Sequence, residues 1–229
     1  MPPQSSLPPA VKNFFRGAPA TASITSACVV VFAITAAQAR SLTDVVWDSP
    51  LASHMILFGP LVDGAGYLRP LAAGFLHLDA SHLFMNMLML VLLGSQIERY
   101  VGTGPYAVAY VASLLGASAS VLAFDFTVPT AGASGALYAL FAVLIAIACR
   151  RSTDLRAPIA LLLVNVAYTF LAANVSVCGH AGGLAFGAAM AWPLTSPNRR
   201  TRWAAALLGL AVAVAAVVLL TLPSTTPIY

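Results

Sequence analysis

Seven apolar stretches, at about 20–39, 81–99, 106–124, 134–149, 157–177, 180–194 and 203–222, alternate with short polar connections along this chain. Five of them are 19 to 21 residues long, and about 20 apolar residues in a helix span a bilayer core. This pattern predicts an all-α polytopic membrane protein. Composition agrees: 60% of the 229 residues are hydrophobic and only 8% are charged, against roughly 25% charged in a soluble domain. The formal net charge of +4 does not indicate a nucleic-acid partner. The basic residues sit in short loops between apolar runs, where membrane topology accounts for them.

Residues 1–19, rich in Pro and Ser, read as a disordered cytoplasmic tail. The first apolar run ends in Ala37-Gln38-Ala39, which resembles a small-residue cleavage site. The run exceeds the usual h-region of roughly 7–15 residues, so a retained helix is expected. Residues 40–80 are too mixed to span and apolar enough to lie partly in the interface. Residues 196–229 supply a basic loop, a seventh transmembrane helix and a short tail. With the N-terminus inside, nine basic residues (Lys12, Arg16, Arg99, Arg150, Arg151, Arg156, Arg199, Arg200, Arg202) are cytoplasmic. Only Arg40 and Arg69 are outside, which sets the orientation and puts the C-terminus outside.

Two stretches are short. A helix from Ser134 to Cys149 covers roughly 24 Å of a core roughly 30 Å thick. Arg150 and Arg151 pin its inner end, so Ser134 is expected below the outer surface. The stretch beginning at His180 has the same deficit on the same side, which predicts a water-filled cavity open outward.

The chemistry-bearing residues cluster at that depth. Gly132-Ala133-Ser134-Gly135 opens the fourth helix with small neighbours around a hydroxyl. Unpaired N–H groups at a helix start can hold an oxyanion. A histidine inside a membrane segment is costly and normally faces a cavity or a partner. His180 is followed by Gly183 and Gly187 and preceded by Gly179, a spacing of four that strips one helix face and permits close approach. If that face meets the fourth helix, His180 reaches Ser134, and Tyr138, one turn below, supports the imidazole. His82 and Asn86 are four apart and share a face at the outer end of the second helix, where two donors suit a developing oxyanion. His77 is expected to tie the loop to that helix. No carboxylate shows ligand spacing beside His77, His82 and His180, so no metal site is expected, and a Ser134–His180 dyad needs no organic cofactor. Cys28, Cys149 and Cys178 have no CxxC spacing and read as small packing residues. Asn165 reads as an interhelical hydrogen-bonding residue.

The ordered set His77…His82-x-x-x-Asn86, Gly132-x-Ser134-Gly135 and His180-x-x-Gly183-x-x-x-Gly187 resembles the rhomboid intramembrane protease family. Arg69 and Glu98 also fall at positions like the family's, while Leu68 stands where the family commonly has Trp. The likeness covers about residues 67–192. It implies a six-helix catalytic core (20–195 here) plus one extra C-terminal transmembrane helix. Ser134 would be the nucleophile and His180 the base, with Asn86 and His82 assisting the oxyanion and Tyr138 stacked beneath His180. The implied activity is serine-type intramembrane proteolysis of membrane-protein substrates within the lipid bilayer of the cell membrane, from an active site opening to the outer face. The rival within the family is a catalytically inactive protein that binds membrane clients. A transporter would need an intramembrane charged site or a repeat, and neither is present in the sequence.

Overall fold

A computed structural model describes residues 16–171 and 175–222. Most of the expected 1–19 tail and the C-terminal tail lie outside the described residues. The described chain is helical, with one isolated antiparallel bridge between Leu57 and Thr130. Seven helices carry the fold: α1 (Pro19–Ala39), α2 (Ala80–Val101), α3 (Thr103–Phe124), α4 (Ser134–Arg150), α5 (Arg156–Leu171), α6 (Val177–Leu194) and α7 (Arg199–Thr221). Of these, α1, α2, α3 and α7 are long and apolar enough to cross a membrane, whereas α4 and α5 are shorter apolar helices.

Helix α6 departs from its expected start at His180. Ser176 accepts the Gly179 N–H at 3.0 Å and caps a helix beginning at Val177. At 18 residues it is about 27 Å long, so much of the expected deficit disappears and His180 lies one turn inside the helix. Helix α4 remains short, with 17 residues. Asn165 also departs from expectation. Its amide donates to Leu161 O of its own helix at 2.9 Å, because the carbonyl one turn back is the nearest acceptor.

Helix α3 is the central pillar, packed against α4, α6 and α7. The two ends of the bundle differ in chemistry. At one end Arg150 lies 4.0 Å over the Trp192 ring and donates to Thr195 Oγ1, joining α4 to α6. At the same end Arg202 donates to the carbonyls of Tyr100 and Val101, holding α7 to α2. Buried Glu98 accepts the N–H groups of Ala20 and Thr21 and the Thr103 hydroxyl, so it closes the start of α1 onto α2. The other end carries the 40–79 connection, folded into short helical turns that leave Leu42, Trp47, Leu61, Tyr67 and Leu68 exposed. Arg69 holds this connection together by donating from Nη1 to Ser53 O and Ile56 O, at 2.8 and 2.9 Å. Ser118 of α3 donates to Pro70 O at 2.6 Å and fastens it to the bundle.

Candidate active site

The segment leading into α4 is held by backbone bonds to the long connection. Leu57 and Thr130 exchange N–H···O bonds of 3.0 and 2.8 Å, and Gly132 N–H donates to Ala73 O at 2.9 Å. Gly132 has φ +126°, which L side chains rarely adopt. A Cβ there would also fall 2.9 Å from Cε1 and Nε2 of His82. Ser134 then opens α4 with no side-chain cap from Ala133. The first intrahelical bond runs from Leu137 N–H to Ala133 O, so the N–H groups of Ser134, Gly135 and Ala136 precede it and have no partner within the helix.

What brings α6 to this helix start is the absence of side chains. A Cβ on Gly183 would lie 2.7 Å from the carbonyl carbon of Gly135, and one on Gly187 would lie 2.6 Å from Ala139 Cβ. Backbone therefore packs on backbone between α4 and α6. Gly179 joins this contact through its carbonyl oxygen, 3.3 Å from where a Gly135 Cβ would stand, but its own Cβ would meet Val121 of α3 and Ser176 instead. Gly135 is squeezed from a second side, by Ala117 of α3.

At the level of this contact His180 Nε2 lies 2.7 Å from Ser134 Oγ. The Tyr138 ring stacks on the imidazole, with centroids 4.2 Å apart and planes 18° apart. The other ring nitrogen, Nδ1, lies 2.8 Å from Thr169 Oγ1 of α5. Thr169 Oγ1 donates to Asn165 O at 3.0 Å and lies 2.5 Å from the Tyr138 hydroxyl. His180 and Thr169 are both buried.

Helix α2 approaches from the side of Gly132. Its N-cap Asp79 accepts the His82 N–H at 2.8 Å and fixes the first turn. Leu78 N–H donates to His82 Nδ1 at 3.4 Å. That places the ring proton on Nε2, the atom against Gly132, which makes it a donor toward the start of α4. Asn86 is buried one turn along, but its Nδ2 donates to His82 O at 2.8 Å, so part of its donor capacity is used within its own helix. His77, in the connection, is buried and set edge-on to His82 with centroids 5.2 Å apart. Burial, and then the neighbouring His82, push its pKa down to about 3.

Of the residues singled out in the sequence, Ser134, His180, Tyr138, Gly132, Gly135, Gly183 and His82 converge here, Gly187 closes the next turn, and Asn86 supports from α2. Cys178 stands apart from the Ser134–His180 contact. Thr169 was missed. Its only signal was a hydroxyl one turn after Asn165 in an apolar helix, where polar side chains commonly seek a partner. Among the described residues no three His, Cys, Asp or Glu side chains are grouped so as to hold a metal ion.

The Rhomboid domain family matches residues 65–197, more than half of the chain, and the chain is a multi-pass membrane protein belonging to that family. Among its relatives, "Rhomboid protease GluP" of Bacillus subtilis (strain 168) is 32% identical over 153 residues, 62% of this chain and 30% of the relative. "Rhomboid-related protein 3" of Homo sapiens is 35% identical over 66 residues, 29% of this chain and 16% of the relative. The chain thus aligns with less than a third of either relative's length.

Proposed function

We propose that this protein is a serine-type intramembrane endopeptidase acting on transmembrane or membrane-anchored proteins. The observation that carries this reading is the 2.7 Å contact between Ser134 Oγ and His180 Nε2 at an uncapped helix start. A serine hydroxyl is a weak nucleophile until an adjacent base takes its proton. In the proposed step His180 Nε2 accepts the Ser134 proton while Oγ bonds to the peptide carbonyl carbon. The carbonyl oxygen becomes an oxyanion facing the free N–H groups at the start of α4, with His82 Nε2–H and the remaining N–H of Asn86 as further donors. Collapse of the adduct breaks the C–N bond, and the imidazolium returns its proton to the leaving amine. Water, activated by the same imidazole, then hydrolyses the acyl-enzyme. Tyr138 holds the ring plane through both half-reactions.

The reading extends to topology. The catalytic unit covers 20–195 with α7 appended, the N-terminus is cytoplasmic, and the site opens to the outer face. Two features support this: the basic residues Arg99, Arg150, Arg151 and Arg202 belong to the end of the bundle opposite Ser134, and α4, at 17 residues, is short for a bilayer core. A client-binding protein without activity is the weaker alternative, because it has no use for a base aimed at the hydroxyl. The test is cleavage of a transmembrane substrate by purified protein in detergent. Ser134→Ala should abolish it without loss of expression, and cleavage near the unmutated rate would overturn the assignment.

A further inference from the structure

We infer that Thr169 is a positioning residue for His180, setting both its tautomer and its ring orientation from α5. This rests on the dyad reading above and adds a third hydroxyl that no resemblance supplied. With all three contacts of the Thr169 hydroxyl made as hydrogen bonds, the accounting closes in one way. Its single proton goes to Asn165 O at 3.0 Å, the carbonyl one turn back. Both lone pairs are then acceptors, one for Tyr138 O–H at 2.5 Å and one for His180 Nδ1–H at 2.8 Å. With the proton held on Nδ1, Nε2 presents a lone pair to Ser134, which is the state a base requires.

The same hydroxyl orders the ring that stacks beneath the imidazole, so Tyr138 and His180 share one anchor. That anchor is itself rigid, because its proton is fixed on the α5 backbone. Among the described residues of α5, Leu161 and Leu162 pack against the core and Thr169 makes the side-chain hydrogen bonds to other helices. Thr169 is the buried residue of its described stretch, while Leu163, Val164, Tyr168 and Phe170 are exposed. The polar seat of α5 and the aim of the base therefore share one residue, Thr169. Lifting α5 away from α4 and α6 would release the proton on Nδ1 and turn the ring.

The test compares full-length protein with Thr169→Val and Thr169→Ser in detergent. A fluorophosphonate labelling rate at Ser134 and the kcat and KM for cleavage of a transmembrane substrate are measured. Thr169→Val, nearly isosteric, should slow labelling and lower kcat by about tenfold, the scale of one neutral hydrogen bond, with KM little changed. Thr169→Ser should restore both rates, which a packing role alone would not predict. Thr169→Val that labels and cleaves like the unmutated protein overturns the inference, as does Thr169→Ser that fails to restore them. If Thr169→Val does not fold, ¹⁵N spectra of the histidine rings in the unmutated protein decide the matter, with His180 assigned from His180→Ala. An Nδ1–H tautomer supports the inference and an Nε2–H tautomer refutes it. Ser134→Ala and His180→Ala keep the two readings separate. If they abolish labelling while Thr169→Val does not slow it, only the role of Thr169 fails. If His180→Ala labels normally, the dyad itself fails.

Discussion

The contact that should tolerate least is Gly183 against Gly135. Replacing Gly183 by Ala adds one methyl, whose carbon would sit 2.7 Å from the Gly135 carbonyl carbon and nearer still to its oxygen. Both obstacles are backbone atoms within α4, so no rotamer can yield. Nonbonded carbons rest about 3.5–4.0 Å apart, and relief requires α6 and α4 to separate by about 1 Å. Gly135 follows Ser134 directly and Gly183 lies three residues after His180, so the separation is delivered at the 2.7 Å Oγ–Nε2 contact. It would lengthen beyond hydrogen-bonding distance. A misplacement of about 1 Å costs on the order of 100-fold in rate, which is the loss expected in cleavage by Gly183→Ala, with a greater loss for Gly183→Leu. The assay is cleavage of a transmembrane substrate in detergent, run beside thermal unfolding to establish that the protein is folded. Folded Gly183→Ala with activity within a few-fold of the unmutated protein would refute the argument, because α4 and α6 could not then be in backbone contact.

His180→Ala should lose most fluorophosphonate labelling at Ser134, whereas Cys178→Ala should change it little; undiminished labelling without His180 would mean Ser134 is activated some other way. Reporter fusions should place the N-terminus in the cytoplasm and the C-terminus outside, and a cytoplasmic C-terminal reporter would show that the number of spans is even. The buried His77 should make the fold acid-sensitive. Its folded pKa of about 3 lies below the unfolded value, so the unfolded chain binds the extra proton between those values. The stability His77 contributes is complete above about pH 6.5 and is lost as pH falls toward 3. Between pH 7 and 4, His77→Gln should lose about 3 kcal/mol less stability than the unmutated protein, measured by denaturant unfolding. Equal losses would show that His77 charges without cost.

Much of this architecture was legible because bilayer helices obey a simple rule. An apolar run of sufficient length is a helix, and its ends are marked by Arg, Pro and Gly. The glycine spacing around His180 could be read as a close approach for the same reason, since a stripped helix face has few other uses. Where spacing failed, a local polar group had intervened. Ser176 began α6 a turn early by capping Gly179 N–H, and Gly179 turned toward α3 while Gly183 faced α4. A four-residue repeat advances 400° around a helix with about 100° per residue, so three members spread over a broad face rather than a line.

Thr169 marks the harder boundary. A threonine in an apolar helix has a sufficient local solution, donating to the carbonyl four residues back, and most such residues need nothing more. Here that bond forms, through Asn165 O, and its consequence is tertiary. By fixing the threonine proton it leaves the oxygen free to accept from two helices at once. No periodicity along α5 encodes this, because Tyr138 and His180 reach the same point from α4 and α6, across 31 and 11 residues of chain. The sequence marks which residues can donate and accept, and the close glycine packing of α4 on α6 decides which two donors arrive together. A change at Gly183 should therefore disturb Thr169's bonds as well as the dyad. Gly183→Ala and Thr169→Val are expected to be less than additive in labelling rate, since both act through the orientation of one imidazole. Strict additivity in the double variant would mean that Thr169 and the glycine contact reach Ser134 by separate routes.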